Sequence, residues 1–239
     1  MIVEGNFTFH NKGVLQMALD TKTEFGTARQ MIEADTDFSR RIDDVDLVRV
    51  DLACGKRKKE GFIGIDKVAT EQTDKVHDLL QFPWPFADEE VYEFNCEHFV
   101  EHIPMTLSGG ENGLIRFMEE AYRCLMPGGT IRIVAPYYSS IEAWQDPTHV
   151  RAISERTFVY FDQKAMQSAD LDHYSIRTNF EAVSRIYRLH PECEAFSEER
   201  RNYMIKYYMN VVQEFEIVLR KKPMNDVGGD IKAEQKSTS

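Results

Sequence analysis

The side chains able to do chemistry in this 239-residue chain gather in three places. The first holds three aspartates, Asp51, Asp66 and Asp78, each beside a short apolar run. Asp51 runs into Leu-Ala-Cys-Gly, and Gly55, lacking a Cβ, lets the backbone turn sharply and approach a ligand closely. A carboxylate ending a strand, as at Asp66, can accept hydrogen bonds from two ribose hydroxyls. One at Asp78 can accept from an exocyclic adenine amine, or can simply cap a turn. The second place is His98-Phe-Val-Glu101-His102, an H-x-x-E-H pattern. On a helix its two histidines share a face and can hold zinc. No third ligand is identifiable in the sequence, and the reading preferred over zinc is the start of a helix after a strand, which the flanking motifs explain. The third is Asp146-Pro-Thr-His149-Val-Arg151. Asp146 suits a helix N-cap with Pro147 at the first helical position. His149 has no such structural role and is expected to line an acceptor pocket with Tyr137, Tyr138 and Trp144.

The elements that must position these groups are legible from hydrophobic periodicity. Residues 47–52, 62–65, 75–79, 91–96 and 130–135 read as strands, the first two and the last as buried runs. Residues 28–42 and 114–125 have helical spacing, and the second ends at Pro127-Gly128-Gly129. Residues 179–189 and 211–219 are further strand candidates. Strands alternating with helices predict a doubly wound α/β fold around a mostly parallel sheet. Pro83-Trp-Pro-Phe-Ala-Asp88 is a stiff loop, because each proline fixes φ.

In open α/β sheets, ligands bind beyond the carboxyl ends of the strands, where the strand order reverses. Two phosphate-binding motifs fail here. The dinucleotide fingerprint needs G-x-G-x-x-G and an acidic residue about 20 positions on. In this chain Lys56 and Arg57 follow Gly55, and Asp66 comes 11 residues after it. No Gly-Lys-Ser/Thr is present for a Walker A loop. A cofactor with a ribose but no phosphates fits better.

With those residues in view, the chain resembles the class I S-adenosylmethionine-dependent methyltransferases, of the methyltransferase type 11 kind. Val50-Asp-Leu-Ala-Cys-Gly55 is similar to their first motif, and Asp66 and Asp78-Leu79 to their ribose and adenine contacts. Pro83 to Asp88, Cys96-Glu-His-Phe-Val-Glu-His102 and Arg123-Cys-Leu-Met-Pro-Gly-Gly129 resemble later family segments in the right order. The resemblance implies a Rossmann-like, seven-stranded sheet with a reversed last hairpin. It implies S-adenosyl-L-methionine as cofactor, with its methionine end over the backbone of Ala53, Cys54 and Gly55 and its ammonium near Asp51. Asp66, Lys67, Asp78 and Leu79 would contact the nucleoside, and Cys96 and Glu97 would face the sulfonium. His98, just past the fourth strand, is the first candidate for a general base and His149 the second. The first crossover is short, so its helix is expected to shrink to about one turn.

Composition sets the remaining bounds. Length suits one domain over residues 1–224, with 1–46 and 139–174 expected to cap the substrate and 225–239 expected to be a disordered tail. A net charge of −11 argues against gripping nucleic acid, which calls for a basic footprint. Apolar stretches fall far short of the ~20 residues of a bilayer span. Four scattered cysteines give no disulfide or zinc pattern, and Cys54 and Cys96 suit small buried hydrophobes. The expectation is a cytoplasmic enzyme that methylates a small molecule; the alternative is a methyltransferase-like binding or scaffold subunit without catalysis.

Overall fold

The computed structural model describes residues 7–10, 14–17, 47–171 and 173–224. Among them the strands are β1 (Phe7–His10), β2 (Val14–Met17), β3 (Val48–Leu52), β4 (Ile63–Asp66), β5 (Lys75–Val76), β6 (Val91–Glu97), β7 (Leu125–Pro136), β8 (Phe180–Leu189) and β9 (Val212–Lys221). The helices are α1 (Gly113–Cys124), α2 (Glu142–Gln145), α3 (Gln163–Ser168), α4 (Pro191–Glu194) and α5 (Glu198–Tyr207). Single 3₁₀ segments span Val100–His102 and Glu155–Phe161.

All nine strands form one sheet in the order β1-β2-β8-β9-β7-β6-β3-β4-β5. β5, β4, β3, β6 and β7 run parallel, while β9 lies antiparallel between β7 and β8. This is the expected doubly wound, seven-stranded sheet with its reversed hairpin. The strand order reverses between β3 and β6. Val50, Leu52, Ile65, Phe94, Ile131 and Ile133 are almost wholly buried, as strands covered on both faces require. Two further strands were not expected. The β1–β2 hairpin pairs antiparallel with β8, at the sheet edge opposite β5, so these residues of the N-terminal segment extend the sheet instead of roofing the strand ends. The expected helix over residues 28–42 and the tail from 225 lie outside the described residues. No helix among the described residues is long and apolar enough to cross a membrane.

Three local expectations change. The link from β3 to β4 contains no helical turn; it closes by tight turns, Arg57 N–H to Cys54 O and Phe62 N–H to Lys59 O. The third strand is only two residues long, because the chain turns at Asp78. There the Leu80 N–H donates to Asp78 Oδ1 and the Gln81 N–H to Asp78 O. Pro127-Gly128-Gly129 does not end α1. The helix stops at Cys124, and those residues form the irregular start of β7, with Gly128 at φ +79° and a register shift against β6.

α1 carries the loop that follows β5. Asn112 caps the helix by accepting from the N–H groups of Leu114 and Ile115. Its apolar face buries Leu114, Phe117, Met118 and Ala121 against the sheet. Its Glu120 and Arg123 reach the Pro-Trp-Pro-Phe loop. The Trp84 N–H donates to Glu120 Oε1 at 2.7 Å, and Arg123 Nη2 donates to Glu120 Oε1 at 2.6 Å and to Phe86 O at 3.0 Å. Trp84 then packs edge-on against Phe94 and Phe117.

Candidate functional site

Beyond the carboxyl ends of β3 and β4 lies a cleft of about 410 Å³. Its lining includes Ala53, Asp66, Lys67, Asp78 and Leu79, all five expected from the sequence, and Phe99, His102 and Thr148, which are not among the expected contacts.

The turn after β3 brings Ala53 to the cleft. Ala53 and Gly55 both have positive φ, +54° and +55°. Glycine takes that conformation freely; alanine does so under strain, because its Cβ crowds the backbone. Ala53→Gly is therefore expected to stabilise the fold by about 1 kcal/mol, the local strain outweighing glycine's larger unfolded-state entropy. A urea melt of the variant beside wild type measures it.

Asp66 ends β4 and closes this turn. Its Oδ2 accepts from the Gly55 N–H at 3.0 Å and its Oδ1 from the Val68 N–H at 2.9 Å. An ionised carboxylate has about four acceptor positions, so two remain for a ligand in the cleft. Asp78 gives Oδ1 to the Leu80 N–H; no hydrogen bond to Oδ2 is formed among the described residues. It therefore caps a turn and lines the cleft at once. Trp84 Nε1 donates to Leu79 O at 3.0 Å, which ties this edge of the cleft to the core.

Several expected contacts lie elsewhere. Asp51 is buried, with Oδ2 accepting from the Lys59 N–H at 2.8 Å and Oδ1 from Asn95 Nδ2 at 2.7 Å. It holds the β3–β4 loop in place of the expected ammonium and is not part of the cleft lining. Cys54 is buried, its N–H bonded to Ile65 O, and Gly55 turns behind Asp66. Cys96 is fully buried within β6. Glu97 pairs with Arg132, which also binds Asn95 and Glu216. The backbone of this segment remains near the cleft through Phe99 and His102, but none of these side chains lines it. Tyr137 packs on Tyr187 and Phe215 in the core, while Tyr138 and Trp144 are exposed and joined by Trp144 Nε1 to Tyr138 O. Tyr137, Tyr138 and Trp144 do not line the cleft.

His98 does not suit a general base. Its Nε2 lies 3.0 Å from Glu214 Oε1 and its Nδ1 3.5 Å from Glu101 Oε1. The carboxylates of Glu101 and Glu214 raise its pKa to about 10, so near neutral pH the ring is an imidazolium with no lone pair to offer. Its partner Glu214 is held down to about 2 by the bond from His98 and then by Arg188. The pair fastens the end of β6 to the start of β9.

His102 is the histidine that reaches the cleft. It comes from a 3₁₀ turn, not an α-helix, and His98, with φ +52°, departs in another direction. His149 packs its ring on His102 at 4.7 Å between centroids. The Asp146 loop that delivers it is not a helix start. Asp146 ends α2 and accepts from Thr148 N at 2.8 Å and Thr148 Oγ1 at 2.7 Å, a side-chain-closed turn. Of residues 139–174, Thr148 lines the cleft, so the expected cap reaches it in part. The sequence signal for His102 and Thr148 was their two motifs; their contact, across 46 residues, was not readable.

The chain is similar in fold to several solved structures. A SAM-dependent methyltransferase from Archaeoglobus fulgidus aligns with 18% identity over 81% of this chain and 95% of its own, at a TM-score of 0.49. An S-adenosylmethionine-dependent methyltransferase from Mesorhizobium loti aligns with 11% identity over 79% and 98%, at 0.45. Geranyl diphosphate C-methyltransferase from Streptomyces coelicolor, solved with Mg²⁺, geranyl diphosphate and S-adenosyl-L-homocysteine, aligns with 12% identity over 81% and 80%, at 0.45. No family model matches the chain, and no curated protein matches it.

Proposed function

We propose that this protein is an S-adenosylmethionine-dependent methyltransferase acting on a small molecule. The observation that carries the reading is the placement of Asp66. It stands on the cleft wall at the carboxyl end of β4, beside the left-handed turn at Ala53, next to the point where the strand order reverses. The residues present fit the cofactor. Asp66 keeps acceptor positions for ribose hydroxyls, Asp78 keeps Oδ2 for an adenine amine, Leu79 offers an apolar surface, and the Ala53 backbone borders the same space. The cleft volume lies within the range of small-molecule sites.

When bound, S-adenosylmethionine supplies an electrophilic methyl group whose leaving group is a neutral thioether. The contribution of this chain is then mainly positional: it holds an acceptor atom in line and excludes water. Phe99, His102 and Thr148 line the same cleft and carry none of the expected cofactor contacts, and we assign the acceptor to them. His102 orients there through Thr148 Oγ1, 3.0 Å from its Nδ1. The acidic balance of the chain favours a small acceptor over nucleic acid. All four cysteines are unpaired, in keeping with a reducing compartment.

Calorimetric titration with S-adenosylhomocysteine tests the reading. Saturable one-to-one binding in the micromolar range is expected, with no heat from NAD or ATP. No heat from S-adenosylhomocysteine at millimolar concentration would overturn it.

A further inference from the structure

Two segments far apart in sequence bring three metal-binding side chains together. Glu101 and His102 belong to the 3₁₀ turn after β6, and His149 to the loop after α2. One ligand atom of each lies within 4.8 Å of those of the other two. Hydrogen bonds to the backbone oxygens of the first segment fasten the two together. The Val150 N–H donates to Glu101 O at 3.0 Å, and Arg151 donates to Ile103 O and Pro104 O at 3.0 and 2.8 Å.

The state of each group suits a cation. Glu101 is 2% exposed, and neither carboxylate oxygen accepts a hydrogen bond. The His98 ring beside Oε1 lies outside hydrogen-bond geometry, and Oε2 has no polar partner among the described residues. The His98 imidazolium, with Nδ1 3.5 Å from Oε1, compensates part of this charge, while Oε2 is left without a donor, a costly state for a buried carboxylate. The two histidines are held with one nitrogen each turned away. His149 Nδ1 lies 3.2 Å from Ala143 O; a carbonyl only accepts, so Nδ1 carries the proton and Nε2 the lone pair. Thr148 Oγ1 donates to Asp146 Oδ1 at 2.7 Å and therefore accepts from His102 Nδ1 at 3.0 Å, which leaves His102 Nε2 as a lone pair too. Imidazoles that bind metals are held in this way, by a carbonyl or carboxylate-linked acceptor on the other nitrogen. Asp146 Oδ2, 3.9 Å from His149 Nε2, adds a second negative charge nearby.

We propose that Glu101, His102 and His149 form a site for one divalent cation of the zinc type, open towards the cleft on the side of His102 and Thr148. Two imidazoles and one carboxylate are the donor set of zinc sites that keep a fourth position for water or a bound molecule. Bonds of about 2.1 Å place tetrahedral ligand atoms about 3.4 Å apart, so the present spacing closes by small side-chain rotations. The H-x-x-E-H pattern thus supplies Glu101 and His102 as ligands, and His98 is replaced by His149. If the methyl-transfer reading holds, and only then, the fourth position is where an acceptor's oxygen would sit.

The test uses the full chain, freed of metal by chelator dialysis and without S-adenosylmethionine, so its outcome is separate from that of the cofactor titration. Calorimetry with zinc chloride is expected to show one equivalent bound. Glu101→Gln and His149→Ala are each expected to weaken binding at least tenfold, and His98→Asn, which removes a positive charge beside Glu101, to bind at least as tightly as wild type. Cobalt chloride is expected to give the strong visible absorption of a four-coordinate site. Should a variant fail to fold, the imidazole NMR signals of the wild-type protein still decide, since zinc must shift those of His102 and His149. No stoichiometric uptake, equal affinity in Glu101→Gln and His149→Ala, or zinc shifts confined to other histidines would overturn the site.

Discussion

Asp66→Ala is expected to weaken S-adenosylhomocysteine binding by about 100-fold. Hydrogen bonds to a charged acceptor contribute about 1.5–3 kcal/mol each, and about 2.7 kcal/mol corresponds to 100-fold in affinity. The variant also removes the acceptor for the Gly55 and Val68 N–H groups, so the turn beside Ala53 loses its brace. Asp66→Asn is expected to cost less, about tenfold. Its amide oxygen can replace one of the two acceptors, but its nitrogen faces an N–H instead of accepting from it. Calorimetry on both variants, with circular dichroism to confirm the fold, gives the comparison. Unchanged affinity in Asp66→Ala would remove this residue from the cofactor site.

The second large effect is on stability. Glu120→Ala is expected to cost about 3–5 kcal/mol, the range for breaking a buried ion pair by removing one partner. Glu120 is wholly buried. Its Oε1 accepts from Trp84 N and from Arg123 Nε and Nη2, and Arg116 Nη2 lies 3.4 Å from Oε2. Truncation leaves the Trp84 N–H without its acceptor and the Arg123 guanidinium beside a cavity. Glu120→Gln keeps an oxygen for Trp84 and is expected to lose about half as much. Equilibrium urea unfolding measures both. Because Trp84 also bonds to Leu79 O at the edge of the cleft, cofactor affinity should fall in parallel with stability. A loss under 1 kcal/mol in Glu120→Ala would show that the loop is held by the aromatic contacts of Trp84 instead.

Much of the frame was legible because its causes are local. Buried strands announce themselves as β-branched runs, as at residues 48–52 and 130–135, and α1 as a stripe at helical spacing. The place of Asp66 at a strand end and on the cleft lining is legible because a strand end next to a glycine turn constrains where its carboxylate can be. The misreadings arose where the partner is remote. The resemblance gives Asp51 to the cofactor, but its carboxylate is buried, bonded to the Lys59 N–H and Asn95 Nδ2, and does not line the cleft. Tyr137 was assigned to a pocket, but Tyr187 and Phe215 take it into the core. The N-terminal segment is expected to be a cap, but the edge of β8 recruits Phe7–His10 and Val14–Met17 as strands, since exposed edge amides and carbonyls invite pairing.

The histidines show the division most clearly. Sequence alone determined that His98, Glu101, His102 and His149 occur in two motifs with metal or acid–base character, because that depends only on residue type and spacing. Tertiary structure alone decided their roles. Glu214, from β9, holds His98 as an imidazolium. The Val150 N–H and the Arg151 guanidinium, bonded to the backbone oxygens of Glu101 and Ile103, bring His149 against His102 and the buried Glu101, whose Oε2 lacks a donor. The physical reason is range: backbone propensity and periodicity act over a few residues, whereas charge state and ligand geometry depend on whichever groups the sheet order brings within a few ångströms.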